Sequence, residues 1–202
     1  MSKTFNDISL FLLILSNIIS IIFAYVQGWA AQEVFWIYWG QSVGIGIINF
    51  IRIRNLKEFS TENFKMGNSR PPETEETKNQ VSWFFLLHYG CFHVGYFIFL
   101  LVDYPLSLLS GDKFIFIIIL IAAFFMTHRF SYAHNIKTDF KGKKPNIGTL
   151  MFYPYLRIIP MHLSIIIGGL LGTAGGLLFF MVLKTFADAG MHMIEHHIFR
   201  KK

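Results

Sequence analysis

Histidines and acids cluster near the end of this chain of 202 residues, in Asp188-Ala-Gly-Met-His192-Met-Ile-Glu195-His196-His197. Asp188, His192 and Glu195 or His196 recur at steps of three or four, so on a helix they share one face. Two imidazoles at i and i+4 beside a carboxylate form a metal-ligand arrangement: both rings reach one ion, and the carboxylate ligates it or orients a ring. All eight histidines fall within or at the ends of apolar runs, where ionisable groups are costly and mark functional sites. The candidate metal ligands are His88, His128, His162, His192 and His196, with Asp188 and Glu195 as candidate catalytic carboxylates. Zinc is the expected ion, with iron or haem as alternatives. Zinc would lower the pKa of a bound water toward about 7, and Asp188 or Glu195 would accept its proton.

Plainer roles compete for the same residues. Lys184 and Asp188 are four apart and have equal reason to form an internal ion pair that allows both to be buried. His196 and His197 adjoin Arg200, Lys201 and Lys202, a setting that suits a membrane surface. His88 and His93 are five apart, which turns their rings about 140° from each other on a helix, so they do not share an ion and His88 is the favoured ligand.

The elements that must position these groups are membrane helices. Hydrophobic residues make up 53% of the chain and charged residues 15%, against about 25% charged in a typical soluble domain. Runs of roughly 20 apolar residues, enough to span a bilayer, lie at about 8–26, 33–53, 81–102, 113–134, 150–171 and 175–199. The expectation is an all-α integral membrane bundle of six helices in one domain, 1–202, with the first run a retained anchor. Lys and Arg concentrate between the second and third runs, around the fourth connection and at the C-terminus. By the positive-inside rule both termini are expected to be cytoplasmic, and Asp188 to lie about 20 Å below an outer turn at 172–175, in the cytoplasmic half. The net charge of +6 then reads as orientation, with no nucleic-acid partner implied. The single cysteine, Cys91, allows no internal disulfide.

The polar stretch at about 55–80 is expected to be a mobile cytoplasmic connector whose Pro72, Glu73, Glu75 and Glu76 begin the third helix. Gly44, Gly46, Gly90, Gly95, Gly168, Gly172 and Gly176 are expected at close helix contacts. Trp29, Trp36, Tyr38 and Trp39 are expected to form an interfacial belt.

Tyr38-Trp39 with Gln41, His88-Tyr89-Gly90 and Lys184-Thr185 through His196 resemble the motifs of an uncharacterised prokaryotic family of multi-pass membrane proteins. A looser similarity is to the alkaline ceramidase and adiponectin receptor type of membrane hydrolase. It implies zinc on His88, His192 and His196, with Asp188 as base. The boxes His88-x(4)-His93 and His192-x(3)-His196-His197 also resemble those of di-iron membrane desaturases. The functional expectation is a zinc-dependent membrane hydrolase acting on a lipid-like substrate. A metal-ion or proton transporter and a di-iron or haem oxidoreductase are the alternatives. Membrane lipids are the expected partners, with self-association into a homo-oligomer left open and a prokaryotic plasma membrane as the location.

Overall fold

The computed structural model describes the backbone of residues 31–139 and 144–200, together with six isolated positions between 14 and 26. The expected first span, 8–26, lies outside the described residues apart from those positions. Five helices follow in order: α1 Ala31–Arg54, α2 Glu75–Asp103, α3 Gly111–Asp139, α4 Ile147–Phe152 and α5 Ile158–Arg200. Short 3-10 turns occupy Leu106–Leu108 and Tyr153–Arg157. Every regular element among the described residues is helical, so the all-α expectation holds.

Local chemistry sets the ends. Thr74 caps α2 by accepting the Thr77 N–H, and Glu75 and Glu76 occupy its positive first turn, so the helix begins there rather than at Pro72. Asn146 caps α4 in the same way through Thr149. Pro160 lies in the first turn of α5, where its missing N–H leaves no helical bond unmade.

Among the described residues two helices, α1 and α2, are long and apolar enough to cross a membrane. They differ in surroundings: α1 is mostly buried, whereas α2 is mostly exposed. Leu87 and Val102 of α2 are 70% and 73% exposed, and Trp83, Val94 and Ile98 are also on the surface. Phe114, Ile115, Phe116, Ile118 and Ile119 are exposed on α3 as well. So many exposed large apolar side chains mark membrane or interaction surfaces rather than the exterior of a soluble core.

α1 is the central element. It runs antiparallel to α2: Trp36 Nε1 donates to the Tyr104 carbonyl at one end (2.9 Å) and Arg54 to Asn79 at the other (2.5 Å). α3 runs alongside α1 in the same direction, beginning with an ion pair between Lys113 and Glu33. Close approach is needed where a Cβ on Gly46 would fall 2.6 Å from the Tyr89 ring and one on Gly40 would overlap Ile121. Gly44 faces Phe125, but Gly90 and Gly95 have nothing nearby, so only part of the expected glycine contacts forms. The expected aromatic belt is also corrected. Trp36 and Tyr38 are buried, and the Trp39 Nε1 donates to the His93 carbonyl at 2.9 Å, so the two tryptophans tie α1 to α2 and its C-terminal cap inside the bundle. Trp29 lies outside the described residues.

Helical backbone runs through α5 from Ile158 to Arg200, yet Arg157 at its foot meets Asp188 at 3.1 Å. On a straight helix 31 residues would separate them by about 46 Å, so the chain doubles back between them. Leu156 also lies against Gly190, a second contact between the two ends of this stretch. α5 therefore has an ascending and a returning arm.

The connector at 55–80 is ordered, which corrects the expectation of mobility. Leu56, Phe59 and Phe64 are buried with Ile147 and Leu150. Ser60 pairs with Asn146 in a parallel bridge, and Lys78 Nζ donates to the Leu56 carbonyl at 2.8 Å. Thr61 donates to the Pro71 carbonyl at 2.8 Å and accepts from Arg70 Nε at 3.0 Å. Apolar side chains among the polar ones supply the burial that a mobile linker lacks.

Candidate functional site

Two polar centres lie inside the bundle. The first joins α1 and α2. Ser42 Oγ is 2.8 Å from the Tyr89 hydroxyl and 2.9 Å from His93 Nε2, while His93 Nδ1 is 2.9 Å from the Tyr89 carbonyl. A carbonyl only accepts, so the proton is on Nδ1 and Nε2 accepts from the Ser42 hydroxyl. In this neutral tautomer the Ser42 hydroxyl points its proton at His93. Steps of four and three place Tyr89, His93 and Tyr96 on one face of α2.

The climbing segment that follows α4 extends this centre. Asn49 Nδ2 donates to the Leu150 carbonyl at 2.9 Å, and the Tyr38 hydroxyl donates to the Arg157 carbonyl at 3.0 Å, so residues 150–157 rise along α1. Tyr155 reaches His88 Nδ1 at 2.9 Å, and His162 Nδ1 lies 3.3 Å from the Tyr96 hydroxyl. The rings form one array: Tyr155 is 5.4 Å from Tyr89, Tyr89 is 4.3 Å from His93, and His93 is 6.0 Å from Tyr96. At the far end of α2, burial and the adjacent Asp103 carboxylate hold the Tyr104 phenol above its ordinary pKa.

The second centre is charged. Asp188, on the returning arm of α5, accepts from Arg157 Nη1 through Oδ1 (3.1 Å) and from Lys184 Nζ through Oδ2 (2.5 Å). The Arg157 guanidinium lies over the Tyr38 ring, 4.6 Å from its centroid. Tyr38 is seven residues into α1, about 10 Å from its start, so this centre lies nearer the Ala31 end than the Arg54 end. It is thus farther from the basic connector than counting down from the turn implied, because the segment that follows α4 has already climbed most of the bundle before Arg157.

The predicted site residues separate accordingly. His88 and His162 are exposed and bond different tyrosines, and both oxygens of Asp188 are engaged by cations. The ion-pair reading of Lys184 and Asp188 is the one the geometry carries. Helical backbone is described at His128, His192, Glu195 and His196, but their side chains lie outside the described residues. Among the described residues no group of three histidine, cysteine or acidic side chains is placed to hold a metal. Sequence reasoning passed over Arg157, Ser42 and Tyr155. Arg157 carried a signal, since a lone arginine within an apolar run needs a partner.

A model of a family of unknown function, DUF6498, matches residues 1–202. No curated protein and no solved structure matches the chain. Matched along its whole length and built around a histidine–tyrosine array beside a buried charge centre, the chain belongs to this family of unknown function.

Proposed function

We propose that the chain is a multi-pass membrane protein, with its basic connectors on the cytoplasmic side of a prokaryotic plasma membrane, that moves protons through the histidine–tyrosine array. The observation that carries this reading is the array on α2, in which three hydrogen-bonded groups, His88 with Tyr155, Tyr89 and His93 with Ser42 of α1, and Tyr96 with His162, lie in ring contact with one another. Hydroxyls donate and accept at once, and imidazole changes charge near neutral pH, so such a series suits stepwise proton transfer. Exposed apolar faces on α2 and α3 and the Lys and Arg asymmetry support the membrane setting and the six-span topology with both termini inside.

Purified protein in liposomes carrying a trapped pH-sensitive dye tests this. An imposed potential is expected to drive acidification that His93→Phe reduces at least about tenfold. Flux equal to that of empty liposomes, or full flux in His93→Phe, refutes it.

A second reading keeps the zinc-dependent membrane hydrolase with a lipid-like substrate. The spacing of His192 and His196, one turn apart on the returning arm, favours it. Elemental analysis decides this reading: stoichiometric zinc that is lost in His192→Ala supports it, whereas metal-free wild-type protein excludes it.

A further inference from the structure

Arg157 is 5% exposed, yet its Nε and Nη2 have no hydrogen-bond partner among the described residues. These two nitrogens are neighbours on one edge of the guanidinium, the side-on fork whose parallel N–H bonds match two oxygens of a carboxylate or phosphate. The rest of the group is held by the chain. Nη1 donates to Asp188 Oδ1, one face meets the Tyr38 ring, and the Phe124 ring centroid is 5.7 Å away. Asp188 also serves Lys184, so one carboxylate faces two cations at this centre. A buried donor left without an acceptor loses its hydration and gains nothing in return, and two adjacent ones call for a single bidentate acceptor.

We propose that the Nε–Nη2 edge of Arg157 is a binding site for an oxyanion, either the phosphate of a lipid headgroup or a free phosphate or carboxylate. The Tyr38 and Phe124 rings hold the guanidinium plane, and Asp188 fixes its rotation by taking the opposite end. Lysine at this position would keep the charge and lose the fork. Binding here stands on Arg157 alone and does not depend on proton movement.

The test uses the full chain in nanodiscs. Phosphorus-31 NMR and thermal unfolding are followed while inorganic phosphate or acetate is titrated into phosphatidylcholine discs. A parallel series replaces part of the lipid with phosphatidic acid. Saturable binding in either series is expected, the free-anion arm identifying a soluble ligand and the phosphatidic acid arm a headgroup. Arg157→Lys, which retains the pair with Asp188, is expected to weaken it at least about tenfold, the loss of one charge-assisted bond. Wild-type protein that saturates with none of the three probes overturns the site, and this measurement needs no variant to fold. Equal binding in wild type and Arg157→Lys also overturns it. So does saturable binding that appears only in Glu195→Gln, because a chain carboxylate would then be the natural occupant.

Discussion

The two buried polar centres satisfy their groups in different ways. Ser42, Tyr89 and His93 are neutral hydrogen-bonding groups drawn from two helices, and their donors and acceptors meet within 3.1 Å. Arg157, Asp188 and Lys184 are charged, come from the climbing segment and the returning arm, and leave two donors of Arg157 without acceptors among the described residues. The neutral network closes on its own groups and so fixes helix register. The charged centre leaves buried donors unmatched among the described residues, which is the feature that the proposed oxyanion site rests on.

Removing the shared carboxylate should break the charged centre with the largest effect. Asp188→Ala takes the carboxylate from the buried Arg157 guanidinium, and a loss of about 3–5 kcal/mol is expected from a broken buried pair. Thermal unfolding in micelles measures it, and Asp188→Glu should recover part of the loss. An unchanged midpoint in Asp188→Ala would mean that the pair is not formed.

The neutral centre should respond less. His93→Ala removes the acceptor of Ser42 and opens a small space, for an expected loss of about 1–3 kcal/mol. Ser42→Ala should cost less, about 1 kcal/mol, because Tyr89 keeps the Ser42 carbonyl as an acceptor at 3.1 Å. If His93→Ala destabilised the protein more than Asp188→Ala, the ranking of the two centres would be reversed.

The smallest effect should come from the seam where the connector meets α4. Asn146→Ala removes the α4 cap and the bond from Asn146 Nδ2 to the Glu62 carbonyl, with an expected loss of about 0.5–1 kcal/mol. Proton flux and phosphate binding should be unchanged in this variant. A fall in either would tie the connector to the interior and blur the contrast between the centres and their support.

Much of the secondary structure was legible because its causes are local. The apolar runs at 33–53 and 81–102 became α1 and α2, whereas the two runs expected at 150–171 and 175–199 fall largely within the single helix α5. Lys184 and Asp188 pair as their spacing allowed. Partner choice was not legible. A helix apolar on all sides offers no stripe from which to read its inward face, so Trp36 and Tyr38 looked like surface aromatics and prove to be buried. Likewise His88 and His162 were grouped by depth, but depth does not fix azimuth, and each meets its own tyrosine.

The sequence by itself determined that the chain is helical, that its apolar segments are long enough for a bilayer, and that ionisable groups lie within them, because composition and length act over a few turns. Only the tertiary structure decided that Arg157 meets Asp188 and that Ser42 joins Tyr89 to His93. Those contacts depend on where α5 reverses and how closely Gly46 admits the Tyr89 ring, and such distances emerge only when all the helices pack together.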